Sequence, residues 1–475
     1  MLFTSLRRAG IVSVAMVGAL SPSSMARTRH RDVTPDSGVD TNRLIHRTVL
    51  RRAQMLPSYS RQTGLACNVC HFQFPQLTPF GRQFKLNGYT MTGLKTIRNM
   101  SDSTQRQNLS LSPIPPLSAM FVTSLTALEK RIPDTQNASA SFPQQASLFL
   151  AGEVAPRVGV FAQFTYSASS GKFGIDNVDI RYADHGSLRG RDLLYGVTLH
   201  NNPTVQDVFN TVPAWSWPFM GSQAAPMPAA SPLVQGALGQ SVAGLGVYGL
   251  WNNLLYSEFT MYTTAQQGTA PPPDSSARNV LRHVTPYGRV VVTRDAGSGH
   301  VSLGAFGMDS RLYVAGVGGA TDHYVDMGAD VQYESRTSGD RVFILRSAFI
   351  HERQTTASAF EAAAASVATR SVDDFRASAT FMPSATFGYT VGGFATSGTR
   401  DALHYAPAST SGSRTGSPNS SGALGEMVVN PWQNFRLGIQ YTRFFTFNGA
   451  ATNYDGSGRN ASDNNRVYLY SWIVF

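Results

Sequence analysis

Two cysteines and a histidine stand together in the run Cys67-Asn68-Val69-Cys70-His71, and the 475-residue chain has no other cysteine. Thiols at this CxxCH spacing can form thioether bonds to both vinyl groups of one haem, and the adjacent histidine can then bind the iron. A zinc site would need further Cys or His ligands at suitable spacing, and none lies nearby. A thioredoxin-like pair would need a cytosolic βαβ setting. The motif therefore predicts one covalently attached haem c, held by Cys67 and Cys70, with His71 as the proximal iron ligand.

A short helix is predicted just after this motif. Thr78 can cap its start, Pro79 suits its first position, and Gly88 stands just past its end. Phe80 and Phe84 are four residues apart and would share one face of the helix. The other apolar residues that could line a haem pocket with them are Phe72, Phe74 and Leu86.

Two basic residues of this helix and one methionine are further candidates for the haem site. Arg82 and Lys85 could neutralise the haem propionates, and an exposed, solvated position is the alternative for both. The sixth iron ligand matters because a methionine thioether raises the reduction potential. Met91 closes the segment and is the predicted distal ligand; the competing candidates are Met55, Met100 and a barrel histidine such as His200.

The start of the chain has the features of an export signal. Arg7 and Arg8 precede a short apolar run over residues 9–20, and Ser24-Met25-Ala26 resembles a signal-peptidase site. We therefore predict a signal peptide over residues 1–26 and a flexible segment over residues 27–42. Export suits a c-type haem, which bacteria attach outside the cytoplasm, and it excludes nucleic acid as a partner.

The composition favours a membrane β-barrel over a soluble protein. Only 14% of the residues are charged, whereas about a quarter is usual in soluble globular proteins. No segment offers about 20 consecutive apolar residues, so helical membrane spans are not expected. The net charge of +10 is a weak indicator, because a basic excess suits haem propionates or a pore lining equally well.

The hydrophobic pattern from about residue 119 onward has a period of two. Apolar and aromatic residues alternate with Gly, Thr, Gln and charged residues, as in residues 157–166, 325–333 and 435–442. In a barrel the apolar face meets lipid and the polar face meets the lumen. The predicted strands begin near residues 119, 146, 157, 176, 191, 244, 253, 286, 299, 323, 340, 373, 385, 425, 434 and 465.

These strands predict an all-β transmembrane barrel of about 16 antiparallel strands, and the segment before them predicts a small, mostly helical haem c domain. Short and long connections alternate, as expected for periplasmic turns and outer loops, although the number could also be 14 or 18. The run 467–475 ends in Phe475, which resembles the terminal signal of outer-membrane barrels. The predicted domains are a haem domain over residues 43–116 and a barrel over residues 117–475.

The haem motif and the barrel pattern together resemble the fused monohaem cytochrome–porins of the outer membrane, proposed as iron oxidases of Fe(II)-oxidising bacteria. The resemblance covers nearly the whole mature chain. It rests on ACNVCHFQFPQLTPFGRQFKLNGYTM (66–91), NNPTVQDVFNTVPAW (201–215) and RLGIQYTRFFTFNGAATNYDGSGRN (436–460). It implies a protein of the Gram-negative outer membrane whose single haem lies in a small domain inside the barrel.

The function that the resemblance implies is an oxidoreductase activity. Extracellular Fe(II) would donate electrons through the haem to a periplasmic c-type cytochrome or copper protein. One alternative is a porin in which the haem domain is a plug, and another is the same electron conduit with a donor other than iron. In the loop that begins at residue 201, Asn201, Asn202, Thr204, Gln206 and Asp207 could bind iron or shape the entrance, or could only stabilise a loop folded inward. Asp455 and Asp463 have a weaker claim.

Overall fold

The computed structural model describes residues 57–91, 97–98, 110–111, 115–167, 171–212, 217–265, 279–313, 316–337 and 341–475. The predicted signal peptide over residues 1–26 and the flexible segment over residues 27–42 lie outside these residues. The same is true of Met55 and Met100, two of the methionines considered as haem ligands.

A small segment over residues 57–91, here called the lumenal segment, precedes a large sheet. It contains the helices α1 (Pro57–Thr63), α2 (Cys67–Cys70) and α3 (Pro79–Leu86), and the short paired strands β1 (His71–Gln73) and β2 (Gln76–Leu77). Two further short strands, β3 (Ile97–Arg98) and β4 (Ser110–Leu111), pair with each other.

Sixteen antiparallel strands then form a closed barrel, as the sequence pattern predicts. Each strand pairs with its neighbours along the chain, and the last strand closes the barrel on the first. In chain order the strands are β5 (Leu117–Leu128), β6 (Ser139–Ala155), β7 (Val158–Ser167), β8 (Lys172–Leu188), β9 (Arg191–His200), β10 (Val242–Trp251), β11 (Leu255–Thr264), β12 (Thr285–Ala296), β13 (Gly299–Tyr313), β14 (Thr321–Arg336), β15 (Val342–Thr355), β16 (Thr369–Met382), β17 (Phe387–Gly398), β18 (Ser420–Trp432), β19 (Phe435–Thr446) and β20 (Arg466–Val474).

Successive side chains point to opposite sides of the barrel wall. In β14, Asp326 and Asp330 are buried on the lumen side, whereas Met327 and Val331 are exposed on the outside. Many other strands carry large apolar residues outward, among them Phe164, Leu199, Leu245, Phe259, Val290, Leu303, Phe349, Phe375, Val391, Ile439 and Leu469. An apolar exterior around a polar interior is the arrangement of a barrel in lipid, and the protein is an outer-membrane barrel.

The connections differ in length at the two ends of the barrel. The turns between β6 and β7 and between β12 and β13 take only a few residues, whereas β9 and β10 are separated by residues 201–241. In outer-membrane barrels the short turns face the periplasm. Two helices, α4 (Pro203–Gln206) and α5 (Ala357–Glu361), and two 3₁₀ turns, Leu233–Gln235 and Ala461–Asn464, belong to the longer connections.

The observed strand starts agree closely with the prediction. The largest difference is β6, which begins at Ser139 rather than near 146. The first residues of β6 are mostly polar and pair with β5 through their backbone. The predicted start relied on alternating apolar residues, so it came too late. No helix among the described residues is long and apolar enough to cross a membrane.

The lumenal segment lies inside the barrel and is bonded to several strands of its wall. The hydroxyl of Tyr248 on β10 donates to the carbonyl of Leu86 at 2.7 Å, and Arg82 pairs with Glu334 on β14. Glycines of β6 and β7 leave room for the segment. A Cβ on Gly159 would lie 2.0 Å from the carbonyl oxygen of Gly88, and one on Gly152 would lie 2.4 Å from the Gln62 amide.

Candidate functional site

The helix α2 is the single turn that carries the two cysteines. Both thiols are free, Cys70 is buried, and Cys67 is partly buried. The backbone N–H of Cys67 donates to Oε1 of Gln433, a residue of the turn between β18 and β19, at 3.0 Å. Burial raises the pKa of each thiol to about 12, so both are protonated at neutral pH. The sulfurs therefore belong to one helical turn inside the lumen, anchored to the barrel wall.

The ring of His71 is held by a backbone carbonyl. Its Nδ1 lies 3.3 Å from the carbonyl oxygen of Pro75, which can only accept, so Nδ1 carries the proton and Nε2 carries the lone pair. Burial lowers the pKa of His71 to about 4, which keeps the imidazole neutral. Metal-binding histidines commonly donate their second ring N–H to a carbonyl in this way. The imidazole is therefore in the tautomer that a haem iron requires.

Thr78 connects the haem motif to helix α3. Its hydroxyl accepts from the N–H of Gly81 at 3.0 Å and donates to the carbonyl of Val69 at 2.6 Å, so the predicted cap is confirmed. Its own N–H donates to the carbonyl of Cys70 at 2.9 Å. Gly88 has a φ of +65° just past the helix, as predicted.

Helices α2 and α3 touch at Gly81, a contact that the sequence alone did not reveal. A Cβ there would lie 2.0 Å from the carbonyl oxygen of Cys70 and 3.0 Å from its Cα. Only glycine allows this approach. A glycine in the first turn of the predicted helix was the one sequence feature that could have indicated this contact. The position of the CxxCH turn therefore depends on one missing methyl group.

One cavity beside His71, the mouth cavity, opens at the end of the barrel that carries the short turns. The space between its walls, including the part open to solvent, is about 780 Å³. Its lining includes Cys67 and His71 from the lumenal segment, and its walls come from the strands and their turns. The barrel residues that line it are Arg336, Val342, Met382, Ser384, Ala385, Asn430, Gln433, Arg436, Trp472 and Val474.

A second cavity, the inner cavity, shares His71 and Phe74 with the first, and the space between its walls is about 750 Å³ including the part open to solvent. Cys70 lines it, as do aromatic residues of the lumenal segment and Phe161 of β7. The described residues 201–212 and 217–241, which connect β9 to β10, are here called the inward loop. Some of them form the far side of the inner cavity. The inward-loop residues that line it are Thr204, Val205, Asp207 and Asn210.

The residues around these cavities fit a covalently attached haem. Cys67 lines the mouth cavity and Cys70 lines the inner cavity. His71 and Phe74 line both cavities. Two buried donors in the linings, Nε1 of Trp472 and Oγ1 of Thr204, have no hydrogen-bond partner among the described residues. Buried polar groups are nearly always bonded in folded proteins, so such orphans indicate a polar ligand or water.

Arg82 and Lys85 have partners within the protein. The Arg82 guanidinium meets the Glu334 carboxylate at two points, 3.0 Å and 2.7 Å, so its charge is already neutralised. Lys85 lines the inner cavity, donates to the carbonyl of Val205, and lies 3.8 Å from Asp179. Burial lowers the pKa of Lys85 to about 8. Their predicted contacts with propionates stay predictions, and Arg82 could make one only in addition to Glu334.

The structure does not bring the predicted distal ligand to the cavities. Met91 is 42% exposed and is absent from the described lining of both. His200 is buried, with one ring nitrogen 2.8 Å from the Tyr262 hydroxyl and the other 3.1 Å from Thr198. Both of its nitrogens are therefore engaged elsewhere.

The apolar residues predicted to line a haem pocket divide among several places. Phe74 and Phe84 line the inner cavity, and Phe72 lines the mouth cavity. Phe80 packs against the cluster that contains Phe84. Leu86 instead packs with residues of β9 to β12, because the helix turns that side toward the barrel wall.

The inward loop uses its polar residues to hold its own shape. The carboxylate of Asp207 accepts from the backbone N–H groups of Phe209, Thr211 and Val212. Gln206 donates to Thr260 of β11 at 2.7 Å. These contacts favour the structural interpretation of this stretch. In the last outer loop, Asp455 and Asp463 also accept from nearby backbone N–H groups. Within the described residues, no three His, Cys, Asp or Glu side chains are arranged to hold a metal ion.

The chain was compared with known proteins. No protein-family model matches it, and no curated protein matches it. Among solved structures it is similar to OmpF of Salmonella typhi, with 10% identity and a TM-score of 0.44 over 76% of this chain and 97% of that one. It is also similar to the outer membrane channel DcaP of Acinetobacter baumannii, with 11% identity and a TM-score of 0.42 over 76% and 96%. A loop-deletion mutant of OmpT of Vibrio cholerae gives 12% identity and a TM-score of 0.39 over 76% and 98%.

Proposed function

We propose that the protein is an outer-membrane c-type cytochrome that takes electrons from extracellular Fe(II) and passes them to a periplasmic carrier. The observation that carries this proposal is the position of the CxxCH turn inside the lumen of the barrel, with His71 between the inner cavity and the mouth cavity. A haem bound there supplies one-electron chemistry: each Fe(II) that becomes Fe(III) gives up one electron, and the periplasmic acceptor gains it.

The residues of the chain would hold and orient the haem. Cys67 and Cys70 would attach it through two thioethers, and Nε2 of His71 would bind its iron. The carbonyl of Pro75 fixes the tautomer and orientation of His71. Thr78 and the contact at Gly81 fix the helical turn that carries the two thiols.

The barrel supports this function by shortening the distance between donor and acceptor. Electron transfer falls steeply with distance, and the apolar band of an outer-membrane barrel is about 25 Å tall. A haem outside the barrel would be too far from one of its partners. The lumenal segment is bonded to the wall at Glu334, Tyr248 and Gln433, so a haem on this segment would lie within the lumen.

Stopped-flow absorbance on the purified protein in detergent would test the proposal. Anaerobic mixing with Fe(II), at acid and at neutral pH, should produce the reduced α-band of haem c. The Cys67→Ala/Cys70→Ala variant should carry no covalent haem and show no band. His200→Gln is the matched control, and it should behave as the wild type because His200 bonds to barrel residues.

Two results would contradict the proposal in different ways. A purified protein without covalent haem would remove the cytochrome function altogether. A haem that dithionite reduces but Fe(II) does not would exclude iron as the donor and would favour another reductant, such as a reduced sulfur species. The second result would leave the electron conduit in place.

A second candidate function is the passage of anions through the lumen. A space lies between the inward loop and β14 to β16, and Arg346 and Arg376 line it. Arg346 bonds Glu334 through Nη2, but its Nε and Nη1 have no partner among the described residues. Unpaired guanidinium N–H groups suit an anion. Single-channel recordings in planar bilayers would test this: the wild type should prefer anions, and Arg346→Gln should lose that preference.

A further inference from the structure

We propose that the thioether sulfur of Met382 is the second axial ligand of the haem iron and that the haem extends from the CxxCH turn into the mouth cavity. This inference rests on the proposed attachment of haem to Cys67 and Cys70. It adds the ligand on the barrel wall, the place of the macrocycle, and the side chains that meet its propionates.

Met382 and His71 line the same cavity. Met382 is the last residue of β16, it is 6% exposed, and it lines the mouth cavity together with Cys67 and His71. No other methionine lines either cavity in the described part of the chain. Met382 also packs with Phe72, Val342 and Ile344, which would hold its side chain in place.

The charged groups of the mouth cavity suit the two propionates. Arg436 donates to the carbonyl of Phe74 at 3.1 Å and to Oδ1 of Asn430 at 3.2 Å. Arg336 donates to the carbonyl of Asn68 at 2.9 Å. Neither guanidinium has a carboxylate within 4 Å among the described residues, which distinguishes both from Arg82. A propionate would supply the direct carboxylate partner that neither of them has within the described residues.

Trp472 completes the polar part of this cavity. Its side chain is 5% exposed, Arg436 stacks over its ring at 5.5 Å, and its Nε1 donor has no partner among the described residues. A buried indole N–H usually finds an acceptor. A propionate oxygen in the mouth cavity is an acceptor of the right kind, so three side chains of this cavity point to the same ligand chemistry.

The proposed ligand has a consequence for the redox chemistry. A methionine ligand stabilises the reduced iron and raises the reduction potential relative to a second histidine. The mouth cavity opens among the short turns, where Ser384 and Ala385 line it. A haem in that place would be close to a periplasmic acceptor, and the inner cavity would lie on its donor side.

Spectroscopy of Met382→Leu would test the assignment, because leucine keeps most of the volume and removes the sulfur. The wild-type ferric protein should show the far-red charge-transfer band of a thioether–iron bond, and Met382→Leu should lose it. The reduction potential should fall in the same variant, while the pyridine haemochrome assay should show unchanged covalent haem. Met91→Leu and Met427→Leu, both at exposed methionines, are the matched controls and should keep the band.

A second substitution protects the test against misfolding. Met382→His should give the low-spin electron paramagnetic resonance signal of two axial imidazoles, which a packing role for Met382 would not produce. Persistence of the far-red band in Met382→Leu, its loss in Met91→Leu, or its absence from a wild type that contains haem would overturn the inference and leave the proposed function standing. A wild type without covalent haem would overturn both.

Discussion

Arg82 of the lumenal segment and Glu334 of the barrel wall form a two-point ion pair inside the lumen, with nitrogen–oxygen distances of 3.0 Å and 2.7 Å. Both side chains are at most 5% exposed. Arg346 of β15 contacts the same carboxylate at 3.3 Å. One carboxylate therefore joins helix α3 to two strands of the wall, and it compensates two buried positive charges.

Glu334→Gln should loosen the lumenal segment. The change keeps the shape of the side chain but leaves two guanidinium groups without their counter-charge, and breaking a buried pair typically costs about 3–5 kcal/mol. We expect a lower urea midpoint in detergent and faster proteolysis within residues 57–91. Asp184→Asn is the matched control, because the pair of Asp184 with Arg157 is exposed and should contribute little. Equal effects of the two substitutions would contradict this account.

Gly81→Ala should reduce haem attachment. Alanine is the better helix former by about 1 kcal/mol, but its Cβ would lie 2.0 Å from the Cys70 carbonyl oxygen and must displace the CxxCH turn. Overpacking of this kind costs roughly 1–3 kcal/mol, so the clash should prevail. The measurement is the ratio of covalent haem to protein. Gly425→Ala is the control, since no atom lies within 4 Å of the place its methyl group would take, and a normal haem content in Gly81→Ala would refute the argument.

His71→Ala and His200→Gln should differ in the iron spectrum. His71 presents a lone pair on Nε2 because Nδ1 is bonded to Pro75, so its loss should convert the iron to a high-spin or loosely ligated form. His200 is bonded through both ring nitrogens to barrel residues, so His200→Gln should keep the wild-type spectrum. Absorbance and electron paramagnetic resonance of the ferric proteins would decide. A changed iron signal in His200→Gln would place His200 at the iron.

The outer loop around Asp401 should stay folded in acid. Asp401 accepts from the backbone N–H groups of Ser366 at 2.8 Å and His404 at 3.0 Å. Arg370 adds an ion pair at 3.1 Å. Burial alone would raise the pKa of Asp401, but the hydrogen bonds and the nearby positive charge lower it to about 2.

The pH dependence follows from that depressed pKa. An unfolded Asp titrates near pH 4, so the stabilisation is complete above about pH 4 and is lost as the pH falls toward 2. Hydrogen exchange of the Ser366, Leu403 and His404 amides should therefore be slow at pH 4 and accelerate below pH 3. Asp401→Asn should exchange at least about tenfold faster at pH 6 and lose this pH dependence. Unchanged protection in Asp401→Asn would show that the charge is not what holds the loop.

The amino-acid sequence alone determined the class of the fold, and it alone predicts the covalent haem. Cys67, Cys70 and His71 stand within five consecutive residues, so the prediction of a covalent haem depends on their local spacing and not on where the fold places them. The alternation of apolar and polar residues has a period of two, so it assigns each strand residue to lipid or lumen. Thr78 and Gly88 act on their own neighbours, and their roles were readable for the same reason.

Only the tertiary structure decided which residues meet inside the lumen. The alternation of apolar and polar residues shows on which side of the wall a side chain lies. It does not show the height of that residue along the barrel axis or its position around the barrel, because both depend on the closure of all sixteen strands. Arg336, Met382 and Arg436 are therefore brought to the cavity that His71 lines, although they are hundreds of residues away in the sequence and no local pattern indicates this. Met91 is nearer in sequence, yet the lumenal segment carries it away from both cavities, because its path is set by contacts with the barrel wall.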